Sequence, residues 1–348
     1  MVRQPFIVFL LIFFIPVVCI AQEKKRDFVR FHPEARNEKG VRVVFYNTEN
    51  LFDTRKDTLK RDEEFLPEGL YRWTPGKFYR KVQSIAKVLL STGGWDPPEI
   101  IGLAEVENRS VLNALVYRLP LAPFDYKIVH YESNDIRGID VALLYRPDKF
   151  KVVFSAPLVV KIKNDTAFRT RDILYVKGLI NNKTPVHLFV NHWPSKLGGE
   201  AISHPHRLAA AHRLLEAVDS LLAVEPTSRI VIMGDLNDTP ASDVVRILER
   251  ERPLINLMDV ADRKKSDKGS YKFNGKWSVI DQIIVSEPLL KQNELHVNVG
   301  ACIFAPSYLL IPDEKYGGVK PFRSFIGPQY SGGYSDHLPV FIDLVYPN

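Results

Sequence analysis

Ser335-Asp336-His337 stands directly before an apolar run, Val340 to Val345, that reads as a strand. An acid beside an imidazole is costly to bury and adds nothing to packing, so this step is either a solvated turn or part of a site. Other polar residues share its address at the end of an apolar run. Asn47 closes "VRVVFYN", Glu105 falls near the end of "EIIGLAEV", and His192 closes "VHLFVNH". Asp235 and Asn237 follow "IVIM", while Asp281 lies inside "VIDQIIVS". Taken singly, each has an ordinary explanation as a turn, a cap or a solvated strand end. Asp281 is the hardest to dismiss, because an acid inside an apolar strand needs a partner. Strand ends on one rim converge in space, and a rigid scaffold commonly carries its chemistry there.

The set offers carboxylates, amides and imidazoles but no thiolate, which suits a hard cation such as Mg²⁺ or Mn²⁺. "SHPHR" (203–207) is the only hint of a zinc-type cluster. The chain has no Gly-Lys-Ser/Thr phosphate loop and no Gly-x-Ser-x-Gly elbow, so phosphate-loop nucleotide hydrolysis and serine esterase chemistry find no support. A metal held by carboxylates, with His–Asp pairs beside it, is equipped to attack a phosphate ester with water. Imidazole and amide donors would hold the charge that develops.

The elements that must position these residues follow from periodicity. Strand patterns run over 41–47, 99–106, 140–146, 152–160, 173–180, 186–192, 229–235, 279–286 and 339–346. Several are apolar nearly throughout, as strands covered on both faces should be. Helical spacing joins Phe78, Val82, Ile85, Val88 and Leu89, and again Leu208, Ala211, Leu214, Leu215, Val218 and Leu222. Shorter helices are expected over Ser110–Leu119 and Ser242–Glu249, and exposed loops over 264–276 and 317–333. No repeat, low-complexity tract or linker divides the body. One layered α/β domain over 41–348 is therefore expected.

The first 21 residues have the layout of a signal peptide: a basic start, an apolar run from Pro5 to Ile20, and small residues before Gln22. The run is shorter than the roughly 20 residues of a spanning helix, so cleavage after Ala21 and no stable membrane span are expected. Residues 22–40 read as a flexible tether. The chain is thus expected to be exported, and Cys302 would be its one remaining cysteine, which excludes an internal disulfide. The formal charge of +6 suits a polyanionic partner.

"FYNTENLF", "IIGLAEVEN", "RGIDVALLYRP", "VNHWPSK", "IMGDLNDTP", "VIDQIIVS" and "YSDHLPV" together resemble, in order, the endonuclease/exonuclease/phosphatase superfamily, which includes deoxyribonuclease-like enzymes. The likeness spans Val41 to Val345, and the "NTENLFD" variant is similar to exported bacterial nuclease-like members. It implies a four-layered α/β/β/α sandwich with two mixed sheets. It implies a metal held chiefly by Glu105, with Asn47 and Asp336 helping, and Glu49 as a further acid. Asp235 and Asn237 would position water and the phosphate. His337 would be oriented by Asp281, and His192 would be a second imidazole, oriented by Asp140. Arg171 would bind phosphate. The function expected is metal-dependent phosphodiester hydrolysis on nucleic acid by a monomer, with Trp193 and Tyr334 as candidate base-stacking aromatics. The alternative is a phospholipid, sphingolipid or inositol phosphate substrate, for which "CIFAPSYLLIP" (302–312) would be an exposed membrane-contact loop; a buried connection is the plainer reading of that stretch. A non-catalytic binding protein is the third reading.

Overall fold

Strands that are apolar on both faces must be covered on both, and this chain does so by stacking two mixed sheets with helices outside. The computed structural model describes residues 40–347 except 95, 164, 197 and 260–268. The proposed signal peptide, and all but the last residue of the tether, lie outside the described residues. The loop expected over 264–276 lies outside the described residues as far as 268.

The first sheet is built on β1 (Val41–Leu51), β2 (Ile100–Val106), β3 (Lys127–His130) and β4 (Asp140–Tyr145). The strand Val340–Val345 pairs antiparallel with β1, β1 pairs parallel with β2, and β4 joins β2 to the edge strand β3. The second sheet runs β5 (Phe150–Leu158), β6 (Ile173–Ile180), β7 (Thr184–His192), β8 (Ile230–Asp235), the strand Asp281–Ser286, and β9 (Leu254–Asn256). Its one parallel pair is β7 with β8. Val43, Phe45, Ile100, Leu188, Val190, Val231, Met233, Ile283 and Ile342 fill the layer between the sheets.

Helix α1 (Pro75–Gly93) lies against β1, burying Val82, Ile85, Val88 and Leu89. Pro75 and the Thr74 cap, which accepts from the Lys77 amide, start it. Helix α2 (Arg109–Val116) packs beside it. Helices α3 (Glu200–Val224) and α4 (Asp243–Arg246) cover the other sheet through Ala210, Ala211, Leu214, Val218 and Val244. The expected four layers are present.

Some boundaries differ from the sequence reading. The strand expected over 152–160 lies at 150–158, on a sheet edge where one face is solvated and the apolar pattern is weak. The loops expected over 264–276 and 317–333 contain short hairpin strands, among them Tyr271–Phe273 paired with Lys276–Ser278. The 302–312 stretch is tied down: Phe304 and Leu309 are buried, and Cys302 pairs with Phe341. Most of its other residues are half-buried, so it is not an exposed apolar loop. Among the described residues no helix is long and apolar enough to cross a membrane.

Candidate active site

Strand side chains alternate faces, so every second residue points into the layer between the sheets. Continuing each inward row past its last apolar residue gives Phe45 then Asn47, Val190 then His192, and Met233 then Asp235. Ile283, read backwards, gives Asp281. The polar rim is thus the end of the inter-sheet core, where apolar filling stops and functional groups begin. Gly234 lets β7 and β8 approach there, since a Cβ on it would collide with the Asn191 backbone.

Glu105 reaches the rim differently. By alternation it should face the helices, but the pairing of β2 slips between Ala104 and Val106, and Glu105 has φ 60°. The bulge turns its carboxylate inward. Asn237, Glu49 and Asn50 are also left-handed, at φ 50°, 52° and 55°. Such residues store about 1–3 kcal/mol each and gather where function demands an orientation.

Three side-chain nitrogens face one oxygen. Asp235 Oδ2 accepts from Asn47 Nδ2 at 3.1 Å, and lies 3.7 Å from His192 Nε2 and 3.8 Å from His337 Nε2. Glu105 Oε1 is 3.3 Å from Asn47 Nδ2 and 3.7 Å from His192 Nε2, while its Oε2 accepts from the Asn50 amide at 2.8 Å. His337 Nδ1 and Asp281 Oδ2 are 2.8 Å apart, both buried. This is the pairing the resemblance implied. Ser335 Oγ donates to the Asn47 carbonyl at 2.8 Å and accepts from the His337 amide at 3.1 Å, which fixes the turn before the last strand to β1. Asn237 donates its amide to Asp235 Oδ1 at 2.9 Å and its side chain to the Trp193 carbonyl at 2.9 Å. Asp336, one-fifth exposed, sits 3.1 Å from Arg323 and 4.0 Å from His337 Nε2.

The two imidazoles are driven apart in charge. Burial pulls His337 down, but the Asp281 and Asp235 carboxylates outweigh it and hold the ring well above its usual value. Burial, with the Arg171 and Arg137 charges, pushes His192 well down. Asp235 is pushed up to about 7 by burial, with Asp281 and Glu105 adding to the shift and His337 opposing it. Glu49 is raised by burial and by Asp336. Buried acids that repel one another in this way fit a site that takes a cation, and carboxylate and amide oxygens are the donors a hard divalent ion prefers.

Three expected residues play other parts. Arg171 donates to the carbonyls of His192 at 3.2 Å and Trp193 at 2.6 Å and pairs with Asp135 at 3.3 Å, so it braces the end of β7 instead of presenting itself to phosphate. Asp140 does not orient His192: Oδ1 accepts from the Ser133 amide at 3.0 Å, and Oδ2 faces His130. Glu49 is clamped by Arg323 at 2.9 Å and the Ser324 amide at 2.6 Å, with Lys81 at 3.7 Å. Of the aromatics, Trp193 is buried and donates to Asn191 at 3.1 Å, so it is core. Tyr334 packs on Tyr308 and Phe322. In "SHPHR", His204 pairs with Asp243 and His206 lies on Phe168, and no metal-ligating group forms there among the described residues.

Lys81, Arg323 and Tyr271 join the site without having been anticipated. Tyr271 sets its ring 4.8 Å from the His337 ring, and burial, with the Asp336 charge, pushes its hydroxyl up to about 12. Lys81 is the one with a readable signal, falling on the buried stripe of α1 between Phe78 and Ile85.

The profile of the Endonuclease/Exonuclease/phosphatase family matches residues 42–346. No curated protein matches the sequence. Among solved structures, a family protein from Bacteroides thetaiotaomicron shares 16% identity at a TM-score of 0.57, covering 89% of this chain and 98% of that one. Mannosyl-6-phosphatase of the same organism shares 16% at 0.55, covering 88% and 100%. Truncated TDP2 from Caenorhabditis elegans shares 18% at 0.53, covering 88% and 97%. At these identities the likeness carries the fold. The chain belongs to the Endonuclease/Exonuclease/phosphatase family, whose members are hydrolases acting on phosphoester bonds.

Proposed function

We propose that the chain is an exported phosphodiesterase that hydrolyses nucleic acid by in-line attack of water, assisted by Mg²⁺ or Mn²⁺. The observation that carries the chemistry is the convergence of Asn47, His192 and His337 on Asp235 Oδ2. A phosphate oxygen or an attacking water lodged beside Asp235 Oδ2 would meet the two imidazoles that face it. Asp235, poised near neutrality, accepts the proton of that water. His337, held charged by Asp281, turns Nε2–H toward the phosphate oxygens and stabilises the charge they gain. His192 is kept neutral by burial and is aimed by the Arg171 brace on its own carbonyl. Glu105 and Asp336 would hold the divalent ion, which when bound would neutralise the phosphate and the leaving oxygen. Asn47 turns its amide nitrogen toward Glu105 and its oxygen to the Glu49 amide, so here it positions the acid and does not offer a ligand atom.

Nucleic acid is favoured by the rim beside His337. Tyr271 and Phe273 project from one hairpin with rings 6.5 Å apart and 10° from parallel, and Phe273 is 63% exposed. Stacked, accessible rings suit bases, and the half-exposed Arg323 and the net positive charge suit the phosphate backbone. Export is supported by the pattern of residues 1–21. The test is a substrate panel with the full chain: duplex DNA, RNA, a sphingolipid phosphodiester and a sugar phosphate, each with Mg²⁺ or with chelator. Metal-dependent cleavage of nucleic acid alone supports the reading. Turnover confined to the lipid or the sugar phosphate overturns the substrate assignment and leaves the chemistry standing.

A further inference from the structure

Asp140, expected to serve His192, faces a different partner. His130 ends the edge strand β3, Glu132 follows two residues later, and Asp140 opens the neighbouring strand β4. One ligand atom from each lies within 4.8 Å of the other two. Two of these groups are buried: the side chains of His130 and Asp140 are 3% and 2% exposed. His130 Nε2 stands 3.4 Å from Asp140 Oδ2 without the alignment of a hydrogen bond. Among the described residues neither atom has a hydrogen-bond partner. Folded proteins rarely leave an imidazole nitrogen and a carboxylate oxygen buried, adjacent and unsatisfied, so the pair points to something held between them.

The surroundings narrow what that is. Lys60 faces the loop, but its ammonium donates to the Ser133 and Asp135 carbonyls at 2.6 and 3.0 Å, not to the acids. Asp172, just before β6, lines a small cleft with Asp140 and adds a negative charge nearby. Glu132 is exposed, which leaves a way in from solvent. The site therefore has an imidazole, several carboxylates, and a partly open position.

We propose that His130, Glu132 and Asp140 form a second metal site, one strand away from the candidate active site, that takes a divalent transition ion such as Mn²⁺ or Zn²⁺. The imidazole selects a transition ion over Mg²⁺ or Ca²⁺. Glu105, Asn47 and Asp336 contribute nothing to it, so it does not depend on the proposed reaction. Its physical effect is to tie the edge strand β3 to β4.

The test is titration of the chelator-stripped full chain with Mn²⁺, followed by electron paramagnetic resonance. Wild type and Glu105→Gln should both bind an ion with nitrogen hyperfine coupling. His130→Gln should lose that coupling, and Glu132→Gln, changed at an exposed position that leaves the core intact, should bind the ion at least ~10-fold more weakly. Mn²⁺ should raise the melting temperature of Glu105→Gln and not that of Glu105→Gln carrying Glu132→Gln. Unchanged affinity and coupling in both ligand variants would overturn the proposal. So would a stability gain from Glu132→Gln that ignores the metal, because the acids would then be sharing a proton.

Discussion

Replacing Asp281 with asparagine removes a charge and leaves the shape of the His337 pocket almost unchanged. At 2.8 Å, the attraction between imidazolium and carboxylate is about 6 kcal/mol at an effective dielectric of ~20, before the cost of dehydrating both groups. Breaking such a buried pair typically destabilises by about 3–5 kcal/mol. The sign with pH follows from His337. Its folded value is raised, so the stability it contributes is fully present below its unfolded value of about 6.5 and is lost as pH rises through the folded value. The gap between wild type and Asp281→Asn should therefore be widest in mildly acidic solution and shrink as the solution becomes alkaline. Asparagine also fails to hold the ring with Nε2–H toward Asp235, and kcat should fall ~10²–10⁴-fold with little change in KM. Urea unfolding at several pH values and steady-state hydrolysis of a chromogenic phosphodiester read the two effects. A variant within threefold of wild-type kcat, or a stability gap independent of pH, would refute the reasoning.

Asp235 carries the opposite bookkeeping: its folded value of about 7 lies above the ordinary aspartate value of 3.8, so metal-free wild type loses stability as pH rises between them. Asp235→Asn escapes that loss, so its stability relative to wild type should rise as pH rises, read by urea unfolding, while turnover is lost. Glu105→Gln should leave the metal-free fold intact and cut Mg²⁺-saturated kcat more than ~100-fold, which a metal titration of turnover will show. Arg171→Ala strips hydrogen bonds from two buried carbonyls and should cost about 2–4 kcal/mol by urea unfolding. If Arg171 bound phosphate instead of bracing His192, Arg171→Lys would raise KM without changing stability.

The rim was legible because Asn47, His192 and Asp235 stand at the ends of apolar runs and Asp281 lies inside one, and both signals are local. Which face of each strand is inward came only with the structure, which places Phe45, Val190, Met233 and Ile283 between the sheets. The partner of Asp281 was legible only through the resemblance, since His337 comes from another sheet 56 residues on. What failed were assignments that depend on where distant backbone falls. Arg171 looks the same in sequence whether its guanidinium meets phosphate or the His192 carbonyl. Asp140 finds His130 because the β3–β4 register brings them together, and that register is set by a hairpin no single stretch encodes. Lys81 could have been read as the one lysine on an otherwise apolar helix stripe, whereas Arg323 lay inside what read as a loop. Trp193 shows the converse: an aromatic after a strand looks available to a base, yet Arg171 and Asn237 both bond its carbonyl and hold it in the core.

The most direct test of the site is a chelator-stripped preparation assayed on duplex DNA with Mg²⁺ restored, comparing wild type, His192→Ala, His337→Ala and the double variant. If both imidazoles serve one phosphate through the single point they share at Asp235, each variant loses at least ~10²-fold, and the double loses far less than the product of the two. Losses that multiply, or a wild type that cuts equally well in chelator, would contradict the account.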